Sequence, residues 1–148
     1  MTEALVEPLT ELALFELLTL DCRVDFDGTL RYYNMQGQLH RVYGPAVEYA
    51  DNTQAWFRNG RLHREDGPAV IFGNSGRHEW WQNGHPHRVD GPAVACTDGY
   101  RVWLQNGQRH RIDGPAIEYS GGEREWYING KPLTEAEWQQ AIASMETV

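Results

Sequence analysis

A unit of about 23 residues recurs through the middle of the chain, and it constrains the fold more than any other feature. Trp56-Phe57-Arg58-Asn59-Gly60 returns as Trp80-Trp81-Gln82-Asn83-Gly84, as Trp103-Leu104-Gln105-Asn106-Gly107 and as Trp126-Tyr127-Ile128-Asn129-Gly130. A weaker first copy is Tyr33-Asn34-Met35-Gln36-Gly37. The glycines stand 23, 24, 23 and 23 residues apart. After the first four of them comes His-Arg, as His40-Arg41, His63-Arg64, His87-Arg88 and His110-Arg111. Gly-Pro-Ala follows, as Gly44-Pro45-Ala46, Gly67-Pro68-Ala69, Gly91-Pro92-Ala93 and Gly114-Pro115-Ala116. Columns that agree at one period mark a stacked array, in which each unit buries its apolar face only against its neighbours.

The punctuation is that of β-hairpins. Asn-Gly is the preferred central pair of a tight turn, because both positions need positive φ. A second turn divides each unit, at Asp27-Gly28, Asp51-Asn52, Asn74-Ser75-Gly76, Asp98-Gly99 and Gly121-Gly122, and is expected to be of the same tight kind. Thr53–Arg58 reads as one strand and Arg61–Phe72 as its return, kinked or bulged at Asp66-Gly67-Pro68, where proline removes a ladder donor. The expected fold is mainly β: an antiparallel meander of about ten strands over residues 24–131, in one domain. Residues 1–23 are expected to form an N-terminal cap, with a helix over Pro8–Leu20. Residues 132–148 are expected to form a C-terminal cap. There Thr134-Glu135-Ala136-Glu137 is a capping box, opening a helix from Glu135 to about Ser144.

Alternation assigns the faces. Tyr33, Trp56, Trp80, Trp103 and Trp126 form an aromatic column that reads as core, joined by Val47, Val70, Val94 and Ile117 and, two residues later, by Tyr49, Phe72, Cys96 and Tyr119. The opposite phase carries Phe57, Trp81, Leu104 and Tyr127. Function in a repeat array sits where the copies differ, so this outer column, with Arg58 and Arg77 nearby, is the candidate binding strip; aromatics and arginine are the usual interface anchors. The competing reading makes the same column a second core beneath the terminal helices.

Charge excludes several functions. The net charge is −8, with seven acids against one arginine in residues 1–30 and a balance of zero in residues 31–130. An acidic chain lacks the electropositive footprint for nucleic acid or anionic lipid. No apolar run is long enough to span a membrane. Two cysteines, Cys22 and Cys96, make neither a disulfide framework nor a cysteine-rich zinc site, and a cytoplasmic setting is expected. Twelve arginines against one lysine favour planar pairing with carboxylates.

His-Arg-x-Asp is the constellation that most resembles chemistry. It recurs as His63/Arg64/Asp66, His87/Arg88/Asp90 and His110/Arg111/Asp113. A catalytic site is single, whereas a column present in every unit is structural. Two strands per unit also set equivalent histidines roughly 10 Å apart, too far to converge on one metal. Arg–Asp pairing is the expected role. His85-Pro86-His87 offers two imidazoles and no third ligand. No metal, cofactor or catalytic residue is expected.

These units resemble MORN-type repeats over residues 24–131, through Trp56/Asn59/Gly60, Trp80/Asn83/Gly84, Trp103/Asn106/Gly107 and Trp126/Asn129/Gly130. They are most similar to the bacterial variant known from antitoxin-like proteins and from phage or prophage proteins. The chain departs from that pattern at His-Arg-x-Asp-Gly-Pro-Ala, where the common unit is glycine-rich. The resemblance implies a β-meander scaffold that binds another protein, without enzymatic residues. The expected function is therefore non-catalytic: an inhibitor, antitoxin-like or anti-defence protein that docks a partner protein, with a second copy of the chain as a further candidate partner. The alternative is a small-ligand module holding a nucleotide between aromatic and arginine side chains.

Overall fold

The computed structural model describes residues 10–145. Helix α1 (Glu11–Thr19) leads into strands β1 (Asp21–Val24), β2 (Leu30–Tyr33) and β3 (Val47–Glu48). Three closely similar units follow. The first holds β4 (Gln54–Ala55), β5 (Phe57–Arg58), β6 (Arg61–Leu62) and β7 (Val70–Ile71). The second holds β8 (His78–Glu79), β9 (Trp81–Gln82), β10 (His85–Pro86) and β11 (Val94–Ala95). The third holds β12 (Arg101–Val102), β13 (Leu104–Gln105), β14 (Gln108–Arg109) and β15 (Ile117–Glu118). Strands β16 (Arg124–Ile128) and β17 (Lys131–Leu133) and helix α2 (Glu135–Met145) follow. Pro8 and Leu9, the start of the expected N-terminal helix, lie outside the described residues.

The fold is mainly β, an antiparallel meander with two wings. One wing is an eleven-stranded sheet in the order β1-β2-β3-β4-β7-β8-β11-β12-β15-β16-β17. The other is a row of Asn-Gly hairpins, β5–β6, β9–β10 and β13–β14. Neighbouring hairpins are tied by pairs of backbone bonds: Gly84 N–H donates to the Leu62 carbonyl (2.9 Å) and Arg64 N–H to the Trp81 carbonyl (3.1 Å), with equivalents at Gly107/Pro86 and Arg88/Leu104. The tryptophans are the crease. Trp56 N–H donates into the ladder, to the Ala69 carbonyl (2.8 Å), while its own carbonyl accepts from His63 N–H in the hairpin wing (3.0 Å); Trp80 and Trp103 repeat this. The expected single strand Thr53–Arg58 is therefore two short strands broken at Trp56, and its return is two strands separated by the His-Arg to Gly-Pro-Ala loop.

The turns are of two kinds. Asn59, Asn83, Asn106 and Asn129 have φ of 49–53°, and each is followed by a glycine at φ 76–84°, as a two-residue type I′ turn requires. The second turns differ from expectation. Gly28, Asn52, Gly99 and Gly122 supply one positive φ each and close a bond to the residue three before, for example Gly99 N–H to the Cys96 carbonyl. These are three-residue loops in which only the last position is left-handed. Asp27, Asp51 and Asp98 complete them by accepting from the N–H of Thr29, Thr53 and Tyr100, each at 2.9 Å. The first copy has the three-residue loop at its hairpin tip too, where Gly37 N–H donates to the Asn34 carbonyl. The extra residue places Tyr32, not Tyr33, in register with Trp56: Tyr32 N–H donates to Ala46 O and its carbonyl accepts from His40 N–H.

Val47, Val70, Val94 and Ile117 are buried as expected, but the aromatic column that joins them is not the expected tryptophan column. Cα pairing aligns Arg31, Val47, Ala55, Val70, Glu79, Val94, Val102, Ile117 and Glu125 in one row across the sheet. Val70 lies opposite Ala55, not Trp56, because the length of the Gly-Pro-Ala loop sets the register one residue earlier. Two residues further along, and so on the same face, come Phe57, Trp81, Leu104 and Tyr127, which pack against the buried clusters Val47/Ala55/Val70 and Val94/Val102/Ile117. Trp56, Trp80 and Trp103 are half-buried on the other face. The buried hydrophobics among the described residues are all alanine, valine or isoleucine.

At the C-terminus the capping box is formed. Thr134 N–H donates to Glu137 Oε2 (2.8 Å) and Glu137 N–H to Thr134 Oγ1 (3.3 Å). Helix α2 packs against β16 and β17, and Trp138 Nε1 donates to the Arg111 carbonyl (3.1 Å). In α1, Leu14, Phe15 and Leu18 are exposed. No helix among the described residues is long and apolar enough to cross a membrane.

A Cβ at the second turn position has to be carried in a left-handed conformation, which costs an L-residue about 1–2 kcal/mol. Gly107→Ala is expected to lower the unfolding free energy by about 1 kcal/mol or more, and Gly107→Asn by less, since asparagine tolerates that region. Urea denaturation of both variants measures the difference.

Candidate functional site

The repeated His-Arg-x-Asp-Gly-Pro segments are built as staples on the Trp56/Trp80/Trp103 face. The Arg64, Arg88 and Arg111 guanidinium carbons lie 4.1, 4.1 and 3.8 Å from the ring centroids of Trp56, Trp80 and Trp103; Arg41 does the same over Tyr32 at 4.0 Å. Each arginine Nε donates to the aspartate two residues on, Arg64 to Asp66, Arg88 to Asp90 and Arg111 to Asp113, at 2.8–2.9 Å. Its Nη1 reaches the proline carbonyl, as Arg64 to Pro68 at 3.2 Å and Arg111 to Pro115 at 3.1 Å. The glycine closes the sandwich: a Cβ at Gly67 or Gly91 would meet the guanidinium carbon at 3.0 Å, and one at Gly114 at 2.8 Å. In the first copy Tyr43 replaces the aspartate, and Arg41 turns to Glu48 Oε1 (2.9 Å) instead.

The histidines link unit to unit. Nδ1 of His40, His63, His87 and His110 accepts the backbone N–H of the next turn's asparagine, Asn59, Asn83, Asn106 and Asn129, at 3.0–3.2 Å. His87, half of the His85/His87 pair, is thus engaged at Nδ1, while His85 is exposed on β10. Among the described residues no group of three His, Cys, Asp or Glu is placed to hold a metal ion.

The opposite face is a trough. Its floor is the row from Val47 to Ile117. The wings fold toward each other over it, since Leu39 and Leu62 of the hairpin wing touch the Val47/Ala55/Val70 cluster. At one end Tyr49, Thr53, Ala55, Phe57, Leu62, Val70 and Phe72 line a depression. In the middle, Glu79 stands in the floor where the units on either side have Ala55 and Val102. It is only 7% exposed and is held by Arg77 Nε (2.7 Å) and Trp81 Nε1 (2.9 Å). At the far end Glu125 accepts from the Tyr119 and Tyr127 hydroxyls, both at 2.8 Å, and Arg109 donates to the Tyr127 hydroxyl at 3.0 Å. Those hydroxyls hold the Glu125 carboxyl below the usual carboxylate range, and the same bond raises the Tyr119 phenol. Burial pushes the Cys96 thiol up, so it is a weak nucleophile.

The structure brings Phe57, Trp81, Leu104 and Tyr127 together on the trough wall, half-buried rather than outward. Arg77 joins them through Glu79. Arg58 does not; it is exposed on the other face, beside Trp56 and Arg64. Tyr49, Phe72 and Tyr119 share the valine face, as expected, but line the trough rather than join the tryptophans; sequence reading missed Glu79 and Glu125. The signal was present: Arg77-x-Glu79-x-Trp81 and Glu125-x-Tyr127 alternate polar and aromatic groups in a column otherwise filled by alanine and valine.

No family model matches the chain, and no curated protein matches it.

The guanidinium sandwich makes two predictions. Arg88→Lys keeps the charge but loses the planar stack and the fork to Asp90 and Pro92. Gly91→Ala forces the guanidinium against Trp80. Each is expected to destabilise by about 1–3 kcal/mol, read by thermal or urea unfolding. Arginine hydrogen bonds hold Asp66, Asp90 and Asp113 below the ordinary carboxylate range. A lowered folded-state pKa means the unfolded chain binds more protons, so this contribution is complete above the carboxylate range and is lost as pH falls through the folded values. The Asp66→Asn/Asp90→Asn/Asp113→Asn variant is expected to show a flatter dependence of melting temperature on acid pH than the parent. An unchanged slope contradicts the pairing as a stabilising element.

Proposed function

We propose that the chain is a non-catalytic docking module of MORN-like repeats, an antitoxin-like or anti-defence inhibitor that seats an apolar or aromatic segment of another protein in the trough, with helix α2 closing the C-terminal end of the array. The observation that carries this reading is the line of half-exposed aromatics, Tyr49, Phe57, Phe72, Trp81, Tyr119 and Tyr127, along a floor too thin to bury them. Aromatic side chains in a concave, water-excluding surface are the usual anchors of protein interfaces. The trough's carboxylates support the same reading: Glu79 and Glu125 are saturated by Arg77, Trp81, Tyr119 and Tyr127, which suits them to holding aromatic groups in place rather than to moving protons.

Tyr49 is 38% exposed and tests the reading with little cost to the fold. Trp81 is the poorer probe, because its removal strips a donor from buried Glu79. A partner captured from the source cell, purified and titrated, is expected to bind Tyr49→Ala about thirtyfold more weakly, the equivalent of about 2 kcal/mol for an interface anchor. Arg58→Ala, on the opposite face, should bind as the parent does. A partner that does not distinguish Tyr49→Ala from the parent overturns the trough as the docking site. A nucleotide that raises the melting temperature of the parent and not of Tyr49→Ala points to the small-ligand alternative.

A further inference from the structure

The two ends of the eleven-stranded sheet are finished differently. At the C-terminal end α2 packs on β16 and β17. At the other end β1 is exposed at all four residues and, among the described residues, pairs only with β2. Helix α1 leaves this edge uncovered: Phe15, Thr19 and Leu20 instead line a depression with Asn34, Met35, Gln36 and His40 at the first hairpin tip.

Hydrogen-bond alternation decides which groups of β1 face outward. Asp25 N–H closes the hairpin to Thr29 O, and Tyr32, the residue opposite Cys22, gives its N–H to Ala46 on the far side. Asp21, Arg23 and Asp25 therefore bond toward β2, and Cys22 and Val24 turn their N–H and carbonyl groups to the open edge. Asp21 and Arg23 flank Cys22 symmetrically with opposite charge. Their side chains share a face, and each is more than half exposed, paired to the other at 2.7 Å.

We propose that two copies of the chain join edge to edge through β1, antiparallel about a two-fold axis at Cys22. The outward groups of Cys22 then bond to those of its counterpart, and Val24 to residue 20 of the other copy. Asp21 of each copy stands directly across from Arg23 of the other, in the closer, non-hydrogen-bonded position. The exposed intramolecular pair becomes two intermolecular pairs, and the sheets and their troughs run on across the axis. A register shifted by one or two residues loses this pairing and sets Asp21 or Arg23 against Cys22, Val24 or its own kind.

The test is the mass in solution. By sedimentation equilibrium the parent is expected as a dimer of twice 17.0 kDa. Val24→Pro removes an N–H that the single chain does not use. It should keep the parent's circular dichroism and weaken dimerisation about tenfold or more, as the loss of a pair of backbone bonds predicts. Asp21→Arg should weaken it as well, and Asp21→Arg/Arg23→Asp should restore it by exchanging the charges. In a Cys96→Ser background a short bis-maleimide should cross-link Cys22 to Cys22. A parent that is monomeric at all concentrations, a dimer indifferent to Val24→Pro, or a charge exchange that fails to restore association overturns the proposal.

Discussion

One guanidinium per unit holds each return loop shut. It is pressed between an indole and a glycine Cα, and its donors are taken by the aspartate two residues on and the proline carbonyl four residues on. In the first and last copies Nη1 also reaches a glutamate beyond the loop, Glu48 from Arg41 and Glu118 from Arg111. The loop length sets where Val70, Val94 and Ile117 meet the ladder, and that register decides which face of the sheet is apolar. The conspicuous residues of the repeat, tryptophan, arginine, aspartate, glycine and proline, are thus one interaction seen from five positions. Exposure weakens the ion pair itself, since the Asp90 side chain is 83% exposed and surface pairs contribute little; the stack and the fixed geometry matter more.

A core of alanine, valine and isoleucine has a further effect. A single sheet has no second layer to bury large side chains, so the aromatics line its walls at half exposure. Glu79 and Glu125 sit in the floor only because arginine, tryptophan and tyrosine donors reach them, and unpaired they would be costly there. The trough is consequently an alternation of aromatic walls and satisfied carboxylates, with little free polar capacity of its own.

The array itself, its Asn-Gly turns, the break at Asp66-Gly67-Pro68 and the C-terminal capping box were all legible in the residues, because each rests on local backbone chemistry. The faces were not. Alternation shows that Trp56 and Phe57 point opposite ways, but which of them meets Val70 depends on a register set across the loop by non-local bonds. The same limit hid Tyr32. Its adjacent tyrosine looks like the better match to Trp56 until the extra residue in the Asn34–Gly37 turn is seen. The second turns looked like the tight two-residue kind because Asp-Gly serves both types, and only the bonding of Asp27, Asp51 and Asp98 to the following N–H separates them. The candidate strip of Phe57, Trp81, Leu104 and Tyr127 is legible as a set, but alternation alone points it outward and parts it from Tyr49, Phe72 and Tyr119, which share its face.

His40, His63, His87 and His110 each reach forward, never back, to the turn of the unit after their own. The array therefore has a polarity independent of its ends, and every internal junction is interchangeable with the next. Copy number then becomes a measure of length. Inserting or removing one whole unit changes the trough by about 10 Å, two strand spacings, without disturbing the joints that remain. A partial unit would leave an imidazole facing the wrong turn. A chain of this kind adjusts its reach in whole steps.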